Sequence, residues 1–292
     1  MKILDGKIAS AHYKEDIKQR IHNQLALGKR APGLAAILVG TNGASETYVA
    51  SKVKTCEEIG FHSVLIRMES EVSEETLVNE INRLNADDTI DGILVQLPLP
   101  EHIRPQRIIQ AISPQKDVDG FHPESMGQLA LGSPTFIPAT PFGIILLLQY
   151  FKIPTAGKHV VVLGRSNIVG RPISILLNQS GDTGDATVTV CHSRSKNLSE
   201  LCASADILIA AIGKPGFVTA NMVKPGATVI DVGITRIPDD SKKSGFRISG
   251  DVDFAAVEPI AGFITPVPGG VGLMTIAALL ENTFRAYMNH QS

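Results

Sequence analysis

The chain lacks the features that would place it in a membrane, outside the cell or on nucleic acid. Its longest apolar run, near Ile144 to Leu148, falls far short of the ~20 residues a spanning helix needs. Its first residues, MKILDGKIAS, have no signal-peptide apolar core, so the protein is expected in the cytoplasm and on no membrane. Cysteine is scarce: Cys56, Cys191 and Cys202 are odd in number and scattered. That excludes a disulfide framework and a zinc-type spacing, and leaves reduced thiols packed as small apolar groups. The eight histidines form no His-x-x-x-His pair, so no metal is expected. Nor is there a basic excess. With 27 Lys and Arg against 29 Asp and Glu the net charge is -2, which gives a nucleic acid nothing to hold. No internal repeat or low-complexity tract stands out. What is present is 292 residues at 43% hydrophobic and 19% charged, the composition of a globular protein long enough for two α/β domains.

The most informative stretch is Lys158 to Leu176, KHVVVLGRSNIVGRPISIL. Val160 to Leu163 reads as a buried parallel strand, Gly164-Arg165-Ser166 as a turn, and Gly170 onward as a helix. Strand, glycine turn and helix in that order build a phosphate site, because unpaired N–H groups at a helix start attract an anion. The spacing Gly-x-Ser-x-x-x-Gly departs from the usual dinucleotide fingerprint, so context carries more weight than the pattern.

In chain order, a helix is expected around Ser10 to Leu27, a strand at Leu34 to Gly40, and a helix at Ser45 to Ile59 capped near Gly43-Ala44-Ser45. A strand at His62 to Met68, a helix opened by Ser73 and a strand at Ile90 to Leu97 complete a parallel α/β unit. Pro98 and Pro100 end its third strand. The second half offers strands at Val160–Leu163, Ala186–Val190, Asp206–Ile212 and Thr228–Val232. The polar stretch Arg236 to Gly250 reads as a mobile surface loop, followed by Gly250-Asp251-Val252-Asp253. A glycine–proline loop at Thr265 to Gly272 precedes a closing helix from Met274 to Met288.

Ligands in parallel sheets gather at the carboxyl ends of strands, and Tyr48 and Lys52 stand there one helical turn apart on one face. A tyrosine hydroxyl beside a partly buried lysine can tune that amine for proton transfer. The same pair also fits a surface lysine whose stem covers a tyrosine ring. Gln96, at the end of the third strand, either holds that lysine with a neutral amide or satisfies a strand-end backbone group. Asp117 and Asp119 sit in a glycine-terminated turn, and both fit ordinary turn carboxylates. One of them could instead accept hydrogen bonds from a donor-rich heterocycle, and spacing does not choose between them. In the second half, the strand end that normally carries an acid for the adenosine ribose reads Cys191-His192-Ser193-Arg194. No carboxylate is there, and with Arg165 in the turn this favours a 2′-phosphate, hence NADP over NAD. Arg165 and Arg194 also fit as solvated surface charges.

With these residues in place the chain resembles the bifunctional methylenetetrahydrofolate dehydrogenase/methenyltetrahydrofolate cyclohydrolase family over nearly its whole length. The motifs are Tyr48-Val49-Ala50-Ser51-Lys52, Asp91 to Pro100, Lys116-Asp117-Val118-Asp119-Gly120, Gly164-Arg165-Ser166 through Gly170, and Pro266 to Gly272. The resemblance implies that Lys52 is catalytic, that Tyr48 and Gln96 position and tune it, and that Asp119 binds the pterin ring. It implies that Pro268, Gly269, Gly270 and Val271 line the folate site and that Gly164, Arg165, Ser166, Gly170, Ser193 and Ile234 hold NADP. It further implies two α/β domains with a cleft between them: residues 1–138 catalytic, 139–272 Rossmann-like and NADP-binding, and the helix 273–292 packed back on the first. A homodimer through the NADP domain is expected, with tetrahydrofolate one-carbon derivatives as substrates.

Two positions depart from the family pattern: Ala139 stands where a cysteine is frequent, and Leu273 where a proline is, which restores a backbone donor. The segment Gln179 to Asp185 looks long and should extend a surface turn. Three other readings compete. A short-chain dehydrogenase shares Tyr-x-x-x-Lys, but there the glycine turn precedes the pair, whereas here it follows by over a hundred residues. A non-catalytic NADP sensor would have no need of the Tyr48, Lys52, Gln96 and Asp119 set. A dehydrogenase without hydrolysis would keep every motif.

Overall fold

The computed structural model describes residues 2–40, 43–242 and 245–291, with the side chains of 43–45, 47 and 48 outside the description. In chain order the first elements are β1 (Lys2–Ile3), α1 (Gly6–Ala26), β2 (Gly33–Val39), α2 (Gly43–Ile59), β3 (His62–Met68), α3 (Glu74–Asn85) and β4 (Gly92–Val95). Then come α4 (Pro105–Ala111), α5 (Pro123–Leu131), α6 (Ala139–Tyr150), β5 (His159–Leu163), α7 (Gly170–Asn178), β6 (Thr187–Cys191) and α8 (Leu198–Ala203). The last are β7 (Ile207–Ala210), β8 (Thr228–Asp231), β9 (Thr235–Pro238), β10 (Phe246–Ser249), α9 (Phe254–Val257), β11 (Phe263–Ile264) and α10 (Val271–His290). They form two compact units: Ala11–Ala139 with Ile276–Ser292, and Met1–Ser10 with Thr140–Thr275.

The first unit holds a three-stranded parallel sheet in the order β3-β2-β4. Every residue of β2 is buried, so both of its faces must be covered. Alternation sorts them. Leu34, Ala36 and Leu38 pack with Ile17, Val49 and, from α10, Leu279, Leu280 and Phe284. Ala35, Ile37 and Val39 pack with Leu77, Ile81 and Ile108. Ser73 caps α3 by accepting from Thr76 N at 3.0 Å. Where β2 and β4 begin, the fully buried Asp91 accepts from both nitrogens of the Arg30 fork at 2.6 and 2.7 Å, from Gly33 N at 2.7 Å and from His290 Nδ1 at 2.8 Å. A buried carboxylate is tolerated because so many donors replace its water.

The second unit holds a six-stranded parallel sheet in the order β1-β11-β8-β7-β5-β6. Its core collects Val161, Leu163, Leu208, Ala210, Val229 and Ile264. Residues 1–10 fall in this unit, and β1 pairs there with β11 through Lys2↔Phe263 and Ile3↔Ile264. The stretch read as a loop from Arg236 to Gly250 instead carries an antiparallel pair at its two ends, β9 with β10, in register Ser249↔Thr235 to Phe246↔Pro238. Arg236 lies over the Phe246 ring at 4.4 Å, a local contact that a polar composition hides. Helix α6 starts at Ala139 and takes Pro141 into its first turn, where a missing N–H costs nothing.

The turn between α4 and α5 is held rigidly. The Asp117 carboxylate accepts from Phe121 N at 3.2 Å, His122 N at 2.8 Å and Ser125 Oγ at 2.9 Å. Asn282 Nδ2 donates to Val118 O and Ile137 O, both at 2.8 Å. Gly120 has φ +71°, and a Cβ there would sit 2.6 Å from Pro138 N, so no other residue fits. Asp117 is therefore a turn carboxylate. Burial pushes it up to about 7 against the pull of its donors, and the neighbouring Asp119 adds in the same direction. Between the ordinary carboxyl value and about 7, the folded protein keeps a proton that the unfolded chain releases, so raising the pH through that window removes stability, roughly 1 kcal/mol per unit. The melting temperature of Asp117→Asn should therefore rise relative to wild type between pH 5 and pH 7; a gap that does not change with pH would contradict the assignment.

Candidate active site

Lys52 stands on α2, the helix that follows β2, and is buried with 5% of its surface exposed. Tyr48 is one turn earlier on the same helix, and its side chain lies outside the described residues. Asp119 belongs to the rigid turn above. Burial pushes its carboxyl up and the charge of Lys52 pulls it down, so lysine and carboxylate act on one another. The spacing left Asp117 and Asp119 equivalent. The structure separates them, because Asp117 is engaged by its own turn and Asp119 is the carboxylate that feels Lys52.

Gln96 N continues the β4 ladder, donating to Ile37 O at 2.9 Å. Its side-chain Nε2 donates to Leu97 O at 2.7 Å, which is the strand-end reading of this residue. That contact also fixes the amide's orientation, since the nitrogen must face a carbonyl oxygen. Oε1 is then left buried without a donor. A buried unpaired acceptor is costly unless something else supplies the hydrogen bond. Gln96 thus has one unpaired acceptor at the end of β4, and that oxygen accepts no bond from Lys52.

In the second unit the carboxyl end of β5 opens on a cavity of about 280 Å³ lined by Gly164, Arg165, His192, Ser193, Lys214 and Phe217, among others. Gly164 has φ +126°, and a Cβ there would fall 2.2 Å from Ala211 O. Only glycine lets strand and loop approach so closely. A Cβ on Gly170 would strike Gly164 O at 2.3 Å. The helix-start donors are not unpaired as the motif suggested. Ser166 Oγ accepts from Val169 N at 3.2 Å and Gly170 N at 3.3 Å, and Ser166 O accepts from Arg171 N at 3.0 Å. The serine and the one extra residue of the glycine spacing let a side chain take the place of an anion. Arg165, His192 and Ser193 line the cavity, and among the described residues no carboxylate does, a lining that fits an adenosine 2′-phosphate.

Ile234 is 62% exposed, and its Cδ1 would meet a Cβ on Gly272 at 3.5 Å. The loop of Pro268, Gly269, Gly270 and Val271 is braced by α1: Gly6 N donates to Gly269 O at 2.9 Å. Leu273 uses the donor that a proline would lack, its N–H reaching Gly270 O at 3.3 Å. Among the described residues no group of three or more His, Cys, Asp or Glu is placed to hold a metal.

Sequence reading passed over the loop after β7. Ile212, Lys214 and Phe217 line the cavity, and the run Ile212-Gly213-Lys214-Pro215-Gly216 is a glycine–proline signal at a strand's carboxyl end, where the rule for parallel sheets would have found it. The loop rests on Asp251 and, behind it, on Asp231, whose carboxyl burial pushes up to about 6, helped by Asp251 alongside.

Family models match both halves of the chain: the catalytic domain of tetrahydrofolate dehydrogenase/cyclohydrolase at residues 4–119 and its NAD(P)-binding domain at residues 138–291. The chain is 58% identical over 285 residues to a bifunctional protein FolD of Porphyromonas gingivalis, covering 98% of this chain and 96% of that one. It is 57% identical over 286 residues to a FolD of Flavobacterium johnsoniae, covering 98% and 97%. Among solved structures, the bifunctional FolD of Campylobacter jejuni superposes with TM-score 0.92 at 47% identity, covering 99% of both chains. The Trypanosoma brucei dehydrogenase-cyclohydrolase, solved with NADP and an inhibitor, superposes with TM-score 0.93 at 36% identity, covering 98% of this chain and 97% of that one. The chain belongs to the tetrahydrofolate dehydrogenase/cyclohydrolase family.

Proposed function

We infer that the protein oxidises 5,10-methylenetetrahydrofolate with NADP⁺ to the 5,10-methenyl compound and hydrolyses that to 10-formyltetrahydrofolate. The observation that carries the reading is the buried Lys52, whose charge acts on the Asp119 carboxylate, together with the unpaired acceptor of Gln96 at the end of β4. Bound NADP⁺ supplies the hydride acceptor, and for that step the chain's contribution is position. Arg165, Ser193 and His192 would hold the adenosine phosphate, with Gly164 and Gly170 allowing close approach and Ser166 shaping the turn. Ile234 would border the nicotinamide end.

Oxidation leaves a cationic one-carbon bridge. Asp119 would accept hydrogen bonds from the pterin ring, Gln96 Oε1 would take a donor or the attacking water, and Pro268, Gly269, Gly270 and Val271 would contact the folate. Lys52, with Tyr48 beside it, would take a proton from the water that attacks the methenyl carbon and return it as the ring C–N bond opens. That role needs the neutral amine, since a charged one would repel the cation. We further propose a homodimer through the nucleotide unit, where β6 is a sheet edge and carries the exposed Val190. A cytoplasmic site accords with three free, buried cysteines.

Lys52→Met should abolish methenyl hydrolysis and leave NADP⁺ affinity unchanged in calorimetry; hydrolysis at the wild-type rate would remove Lys52 from the mechanism. Arg165→Ala should raise the KM for NADP⁺ about tenfold or more while that for NAD⁺ changes little. Equal losses for both nucleotides would sink the 2′-phosphate assignment.

A further inference from the structure

The wall of the nucleotide cavity after β7 is a loop, so its amides have no ladder partner and must find acceptors elsewhere. Three consecutive ones turn to a single side chain. Asp251 Oδ2 accepts from Ile212 N at 2.6 Å and Gly213 N at 3.0 Å, and its Oδ1 accepts from Lys214 N at 2.8 Å. Successive N–H groups converging in this way form a nest that ordinarily takes an external anion such as a phosphate. Here the anion comes from within the chain. Asp251 is fully buried, and no ion pair reaches it among the described residues.

The carboxylate is itself fixed in place. Asp251 N donates to Asp231 Oδ1 at 2.9 Å, Val252 N to Asp231 Oδ2 at 3.0 Å, and Gly233 N to Asp231 Oδ1 at 2.9 Å. Two glycines leave room for this stack. A Cβ on Gly233 would lie 2.5 Å from Asp251 Oδ1, and one on Gly250 would lie 1.9 Å from Asp231 Oδ2. The consequence reaches the cavity surface, because Lys214 and Phe217 are carried on the pinned loop, with Lys214 Nζ 5.7 Å from the Phe217 ring centre.

We propose that Asp251 is a positioning residue for NADP: by occupying the nest with its own carboxylate, it holds the Ile212–Lys214 loop as a fixed wall and leaves cofactor phosphate to the arginine side. The proposal rests on the NADP reading above. Asp251 touches no reacting atom, and the folate unit has no part in the stack.

Methenyl hydrolysis can be measured without nucleotide, so it reports folding and the folate site independently of the loop. Asp251→Asn keeps the size but turns an amide N–H₂ toward donors. It should raise the NADP⁺ dissociation constant in calorimetry about tenfold or more and raise the KM for NADP⁺ in step. Nucleotide-free hydrolysis should stay within about twofold of wild type. In nucleotide-free wild type, hydrogen exchange at Ile212, Gly213 and Lys214 should be slow, and in the variant fast. Unchanged affinity in the variant, or hydrolysis falling in parallel with affinity, would overturn the proposal. So would fast exchange in the wild type, a result that holds even where the variant does not fold. A wild type that does not bind NADP⁺ at all would overturn the cofactor reading itself, and the proposal with it.

Discussion

Loops at the ends of buried parallel strands must find acceptors for amides that no ladder and no water can serve, and this chain meets that demand with buried aspartates. Asp91 serves Gly33 where β2 and β4 begin, and draws in Arg30 and His290. Asp117 serves Phe121 and His122 in the turn that carries Asp119. Asp231 and Asp251 together serve Gly233, Val252 and the Ile212–Lys214 run at the nucleotide cavity. Each carboxylate carries a desolvation cost, visible in the raised values of Asp117 and Asp231. Each in return fixes backbone that a flexible loop would leave loose.

That arrangement explains how a site with few polar groups can be specific. Lys52 and Asp119 are exposed to one another's charge in a buried setting where charge matters. Their neighbours are immobile: Gly120 is packed against Pro138, and Val118 is tied to α10 by Asn282. In the nucleotide unit Ser166 accepts from the amides of its own turn, so Arg165 and Ser193 stand on a rigid frame at the cavity.

Much of this frame was legible in the sequence. A buried β-branched run marked β5, the apolar stretch after Gly60 marked β3, Ser73 marked its helix, and glycine followed by a helix marked the nucleotide turn. The four-residue strands β4, β7 and β8 were read from their apolar runs, whereas the short β1, β11 and the β9–β10 pair escaped, because neither periodicity nor composition marks so short or so polar a length. The Lys52 pattern was readable because a helix puts residues four apart on one face. Asp251 was visible only as a residue after a glycine. Its partners come from positions 212–214, and such long-range hydrogen bonding leaves no local trace. The same holds for Gln96, whose orphaned oxygen depends on which way its amide points.

The most direct test uses the wild-type protein and light absorption in two arms. In the first, 5,10-methylenetetrahydrofolate and NADP⁺ are supplied and reduced nicotinamide is followed. In the second, 5,10-methenyltetrahydrofolate is supplied alone, without nucleotide, and its disappearance is followed. The account predicts NADPH formation in the first and protein-dependent hydrolysis in the second. NADPH without faster hydrolysis would contradict the proton-transfer role given to Lys52, and hydrolysis without NADPH would contradict the reading of the nucleotide cavity.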